Sequence, residues 1–290
     1  MVETFPLPDF DTRTPRLPVP EGACDTHAHV FGAMDRYPPA AKRRYDPPDI
    51  PVSRYRAMLR TLGVGRAVLV QSSAYGTDNR LLLDALAEAG GGFRGIALLA
   101  PDVSMAELKR LDRGGIRGVR VSTLRNSHIG PGDIVPLAAK IAELGWVMQI
   151  HLDHVSDLPP LAPLLGRLPV PCLIDHLGRV RGGDGIDDPD FRALLALFET
   201  EANCWVKLCS FYRLSDVGHP TYADMAPFVR ALVAVAPDRL VWGTNWPHPG
   251  HRAHMPNDGD LYDVLFGWIA DEGVRHAILV DNPARLFGFG

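Results

Sequence analysis

The stretch "LVWGTNWPHPG", Leu240 to Gly250, runs three apolar residues straight into a Gly-Thr-Asn-Trp-Pro-His-Pro-Gly loop. Unbroken apolar character marks a strand covered on both faces, as in a parallel sheet, and the abrupt change to turn residues marks its carboxyl end. Working outward, the same signature recurs at 23–30 "ACDTHAHV", 66–73 "RAVLVQSS", 95–100 "GIALLA", 118–123 "GVRVST", 146–153 "WVMQIHLD", 172–177 "CLIDHL" and 204–210 "CWVKLCS", with 239–245 "RLVWGTN" as the eighth. Between the strands lie segments such as "DNRLLLDALAEAG", "SMAELKRLDRGG", "DIVPLAAKIAELG" and "DFRALLALFETEA". Their apolar residues recur every three or four positions, and several open on Asp or Ser and close on Gly, as helices do. Eight strand–helix units in 290 residues predict one (β/α)8 barrel. An open doubly wound sheet is the alternative, but the first strand lacks the GxGxxG of a dinucleotide site.

A chain that is 46% hydrophobic can build one large core, and a net charge of −4 without an Arg/Lys run among aromatics argues against nucleic acid as a partner. Cys24, Cys172, Cys204 and Cys209 form no CxxC pair and are expected to be reduced. Residues 1–22 hold five prolines and no apolar signal segment, and nothing later reaches the ~18 apolar residues of a membrane span. The expectation is a cytoplasmic protein with an N-terminal arm over 1–22 and a barrel over 23–290, no membrane partner, and homo-oligomerisation left open.

In such a barrel the carboxyl ends of the strands converge on one mouth. His27 and His29 end the first strand, and the two-residue period turns both to one side. Ser72 and Ser73 end the second, Arg120 and His151 stand on the fourth and fifth, and Asp175 and His176 end the sixth with Arg179 beyond. Tyr212 and Arg213 follow the seventh, and Asn245 and His248 the eighth. Any one of these has an ordinary structural explanation, since a lone histidine is usually a bonded filler and a lone arginine a surface or ion-pair residue. Four histidines at three strand ends are harder to dismiss. Tyr45 in "KRRYDPP" is balanced between packing and ligand contact, while His128, His154, His219, His251, His254 and His276 read as solvated.

His-x-His on the first strand, His151, His176 and "WGTNWPHP" together resemble the amidohydrolase superfamily, in the branch called amidohydrolase family 2. "DTHAHVFGAM", "VLVQSSAYGTDN" and "IDHLGR" are more similar still to its 2-pyrone-4,6-dicarboxylate lactonases, over nearly the whole chain after the arm. The resemblance implies a barrel hydrolase in which water opens a small carboxylated cyclic ester, often without a metal. It implies that His27, His29 and His176 polarise the lactone carbonyl, that the acid ending the eighth strand is the general base, and that Tyr45, Ser73, Arg120, Arg179 and Arg213 fall on binding or catalytic positions. His151 and His248 join the expected substrate contacts from their strand-end positions. An isomerase or metal-dependent hydrolase of sugar-acid or muconate-type lactones, and a silent dicarboxylate-binding barrel, are the alternatives.

Two positions depart from that pattern. His151 stands where the pyrone lactonases have tyrosine, which makes a metal site more plausible. Asn245 stands where the family has aspartate. An amide keeps the shape of a carboxylate but cannot take a proton from water near neutral pH. Either a base was exchanged on purpose to trap a ligand, which one isosteric change in a close match favours, or the chemistry needs no base here. With the anionic ligand missing, no metal is expected to be required. Zinc on His27, His29, His151 and His176 is the alternative.

Overall fold

The computed structural model describes residues 3–124 and 130–289. His128 lies outside them. Every predicted strand is present, and the eight follow one another in chain order through a single sheet: β1 Cys24–Ala28, β2 Arg66–Val70, β3 Phe93–Ala97, β4 Ile116–Ser122, β5 Val147–His151, β6 Cys172–Ile174, β7 Cys204–Cys209 and β8 Leu240–Gly243. All seven ladders between neighbours are parallel. The last gap is bridged where Ala28 meets Trp246 in parallel and the His29 N–H donates to the Trp246 carbonyl at 2.7 Å. This is a (β/α)8 barrel.

The closing seam depends on a close approach. A Cβ on Gly243 would sit 2.8 Å from the His27 backbone nitrogen, so only glycine lets β8 pass this near to β1. The buried Asp25 carboxylate then stitches the seam. It accepts from the Thr244 backbone N–H at 2.9 Å, the Thr244 hydroxyl at 2.6 Å and the Tyr55 hydroxyl at 2.8 Å.

The helices α1 Val52–Leu62, α2 Arg80–Ala89, α3 Met105–Arg113, α4 Ile134–Ala142, α5 Ala162–Leu165, α6 Pro189–Thr200, α7 Phe211–Leu214, α8 Ala226–Val235 and α9 Asp258–Gly267 follow the strands. Ser104 caps α3 as its position predicts, whereas α6 is capped by Asp188, two residues before the Asp190 that opens the segment read from sequence; each accepts from backbone N–H groups of the first turn.

The strand period of two sorts the side chains. Val119, Val121, Met148, Ile150, Val206 and Leu208 join the large outer core under the helices, while Cys24, Val68, Val147, Leu173, Trp205 and Val241 pack with Phe287 and Phe289 in a separate inner cluster. Stepping two residues on from Val147, Leu173 and Trp205 gives Gln149, Asp175 and Lys207, and two more from Gln149 gives His151. The barrel axis therefore passes from an apolar layer through a fully buried polar layer to the mouth.

The ladders stop up to three residues short of the apolar runs. At the mouth the chain must turn away from the barrel, and His176, Arg179, Ser210 and Asn245 do so with φ of 52°, 64°, 62° and 62°. Left-handed backbone at non-glycine residues is costly and gathers at functional sites.

The Pro-rich N-terminal stretch lies along α9: the Tyr262 hydroxyl donates to the Pro18 carbonyl, and the Asp263 carboxylate accepts from the backbone N–H of Arg16 and Leu17. All four cysteines are buried and free. Among the described residues no helix is long and apolar enough to cross a membrane.

Candidate active site at the barrel mouth

A cavity of about 470 Å³ opens at the carboxyl ends of the strands. His29, Tyr45, Ser73, Arg120, His151, His176, Arg179, Arg213 and Asn245, singled out from sequence, all line it. So do Lys42, Arg43 and Arg44, neighbours of Tyr45 in the long loop after β1, together with Ser72, Ser122 and Ser210. Among the described residues six basic side chains face this space, and no carboxylate lines it. The Tyr45 hydroxyl bonds the Ser72 hydroxyl at 2.9 Å, which folds the basic loop over the mouth.

Arg120 is buried, and its Nε has no partner among the described residues. Arg179 donates to the Asp153 carbonyl at 3.2 Å and Arg213 to the Pro249 carbonyl at 3.0 Å. Among the described residues none of the three is neutralised by an acid in a short ion pair, so their charge is available to an anion. Burial lowers Arg120 and Arg179 from the ordinary arginine range without bringing them near neutrality.

The histidines are held neutral. Burial, with nearby cations behind it, pushes His27 down to about 4 and places His29, His151 and His176 well below the ordinary histidine range. His27 does not reach the cavity; it is fully buried beneath His29. Its Nδ1 accepts from the Lys207 ammonium at 3.1 Å, which leaves its proton on Nε2, 3.2 Å from His29 Nε2. His29 in turn gives its Nδ1 proton to the Val70 carbonyl at 2.7 Å, so its Nε2 is the acceptor of that pair. The Ser122 hydroxyl accepts from the Leu124 N–H and also bonds His151 Nδ1 at 3.2 Å, a contact that either atom can donate. His176 keeps a buried Nδ1 without a partner among the described residues, its ring 4.7 Å from that of His27 and 5.4 Å from that of His151.

Asn245 is buried at the cavity wall, where its amide nitrogen donates to the Tyr212 hydroxyl at 2.9 Å. His248, expected as a substrate contact, is fully buried and does not line the cavity; its ring lies behind Tyr212, with Nδ1 2.7 Å from that hydroxyl. The left-handed φ of 61° at His248 turns its side chain inward. Of the histidines read as solvated, His219, His254 and His276 are exposed, and His154 and His251 half-buried.

A strand-end search passes over Lys207. Fully buried at mid-strand, its ammonium donates to Gln149 Oε1 at 2.9 Å and lies 3.3 Å from Asp175 Oδ1. Burial alone would raise Asp175, but the Lys207 ammonium beside it outweighs that and holds the carboxyl well below the usual range. The signal in the sequence is a lone charge inside "CWVKLCS".

Among the described residues, His27, His176 and Cys209 bring ligand atoms within 4.8 Å of one another. This set differs from the four histidines expected for zinc. Burial pushes the Cys209 thiol up, His27 Nδ1 is taken by an ammonium, and no carboxylate completes the set. Metal-binding histidines normally give Nδ1–H to an acceptor, the reverse of His27 here. The arrangement does not fit a dication.

A family model described as Amidohydrolase matches residues 24–289. A 4-sulfomuconolactone hydrolase of Hydrogenophaga intermedia is 41% identical over 94% of this chain and 91% of its own length. A 2-pyrone-4,6-dicarboxylate hydrolase of Comamonas testosteroni is 36% identical over 94% and 92%. A D-galactarolactone isomerase of Agrobacterium fabrum is 31% identical over 94% and 93%.

Proposed function

The chain belongs to the amidohydrolase family, and on that premise we propose that it is a hydrolase that opens a small lactone bearing two or more anionic groups. The observation that carries this reading is the cavity itself: among the described residues six cations and no acid line it, facing neutral histidines and Asn245. A neutral ester would gain little from such a field, whereas a ring carrying carboxylates or a sulfonate pairs with the arginine forks. The relatives are named for lactones that carry such groups.

In this account Arg120, Arg179 and Arg213 seat the anionic groups. The N–H groups of His151 and His176 stabilise charge on the carbonyl oxygen as water adds to the carbonyl carbon. When the intermediate collapses, the ring C–O bond breaks and the departing oxygen takes its proton directly from the oxygen of the added water. Asn245 orients the water without deprotonating it. A metal takes no part.

Asn245 also favours a second reading. If a hydroxyl of the substrate takes the place of water, the same carbonyl is transferred within the molecule and the lactone is isomerised. One relative is named for that reaction.

A turnover panel of carboxylated, sulfonated and neutral lactones tests the substrate class. Conversion confined to the anionic members is expected. Conversion of neutral lactones with the anionic ones untouched removes the proposal.

A further inference from the structure

We infer that Tyr212, His248 and Asp258 form a one-way hydrogen-bond chain that fixes the Asn245 amide with its carbonyl oxygen toward the cavity. The three are positioning residues for the group that holds the nucleophile, and their role in turnover rests on the proposed lactone chemistry.

The direction of the chain follows from its far end. Asp258 opens α9, is 1% exposed, and neither of its carboxylate oxygens has a hydrogen-bond partner among the described residues. His248 Nε2, buried and equally unpartnered, faces Oδ1 at 3.5 Å. Two orphaned groups that face one another in the interior have an explanation in each other. A carboxylate can only accept, so Nε2 must carry the proton and Nδ1 must be the bare nitrogen.

That assignment propagates. A bare Nδ1 at 2.7 Å takes the Tyr212 proton, which leaves the phenol oxygen only its lone pairs toward Asn245. The NH2 side of the amide therefore faces Tyr212, at 2.9 Å. Oδ1 is left for the cavity, where it can accept from water or a substrate hydroxyl. Burial raises the Tyr212 phenol, so it stays protonated as this order demands. Beside the chain stand His251, whose ring lies 5.1 Å from that of Tyr212, Arg213, turned to the Pro249 carbonyl, the buried Cys209 thiol near Tyr212 and the Tyr55 hydroxyl near Asp258.

Every donor thus points from Asn245 to Asp258. A carboxylate at position 245 would accept from Tyr212, and His248 could then supply both neighbours only as an imidazolium. The surroundings suit an amide and would take up a proton to accommodate an acid. Asn245 is matched to its neighbours rather than left behind in a site built for aspartate.

Nitrogen-15 NMR on histidine-labelled protein, with His248→Gln to assign the signal, reads the direction without any substrate. The expected state at neutral pH is a neutral ring with its proton on Nε2, converted to an imidazolium in Asn245→Asp. With a convertible lactone, Tyr212→Phe should lower kcat on the order of 10²-fold and leave KM within about twofold, as for a misoriented group. Asp258→Asn, whose side-chain carbonyl can still accept from Nε2–H, should retain most of the activity. A proton on Nδ1 with Nε2 bare, or an imidazolium in the unchanged protein, overturns the chain whether or not a lactone is turned over. Absence of lactone turnover with the expected ring state would count against the proposed function alone.

Discussion

The Lys207 ammonium lies 3.1 Å from His27 Nδ1 with both side chains fully buried, so a fixed cation sets the tautomer of the histidine beneath the cavity. The same ammonium pairs with Asp175 at 3.3 Å. Removing one partner of a buried pair leaves the other charge uncompensated. Lys207→Met should therefore cost about 3–5 kcal/mol of stability, read as a lower midpoint in chemical denaturation. A loss below about 1 kcal/mol, the range of an exposed pair, would show that the interior does not depend on it.

Stability should fall on acidification from neutral pH. His27 has a folded pKa of about 4 against an ordinary 6.5, so its contribution is complete above 6.5 and is lost as the pH falls toward 4. His29, His151 and His176 shift in the same direction. Asp25 opposes them, because burial pushes it up to about 6 and its cost grows as the pH rises from 3.8. Four histidines outweigh one carboxyl. Denaturation midpoints at pH 7, 6 and 5 should decline in that order, and equal midpoints contradict the neutral histidine cluster.

Arg120→Met should weaken binding of a dicarboxylate ring analogue about 10- to 100-fold, the worth of a charge-assisted hydrogen bond of about 1.5–3 kcal/mol. Titration calorimetry gives the affinity, and a neutral analogue should bind each protein alike. Equal loss for both analogues would mean that the arginine shapes the cavity rather than reading charge.

Asn245→Asp should add a general base beside the attacking water. Hydrolysis should then accelerate by on the order of 10² to 10⁴ with little change in binding, and the rate should acquire an acid limb where the new carboxylate protonates. Asn245→Ala should not share the gain. If Asp leaves the rate and its pH profile unchanged while Ala abolishes a substantial activity, the amide is itself the working group.

Protein purified without chelator should hold zinc far below one ion per chain, since Lys207 and the protonated Cys209 oppose a dication. Elemental analysis giving close to one ion per chain would mean that the interior rearranges around a metal.

The barrel was legible because parallel strands buried on both faces leave long apolar runs, and because Gly and Pro punctuate the mouth. Nine of the eleven site residues chosen from sequence line the cavity, since alternation along a strand projects them to one end. His27 and His248 do not, for reasons of depth and turn geometry. His27 sits a layer below His29, and the left-handed turn through Asn245 carries His248 behind the wall. Lys207 and Asp258 gain their meaning only from partners distant in the chain. Lys42, Arg43 and Arg44 sat beside Tyr45 in view, but only the folded loop shows that they close over the cavity.

The central claim is that water attacks the lactone carbonyl, and the most direct measurement is turnover of the best anionic lactone in ¹⁸O-labelled water with product mass analysis. The account predicts one labelled oxygen in the carboxylate of each ring-opened product. Consumption of the lactone without label, giving a product of unchanged mass, would contradict hydrolysis and establish transfer to a hydroxyl of the substrate itself.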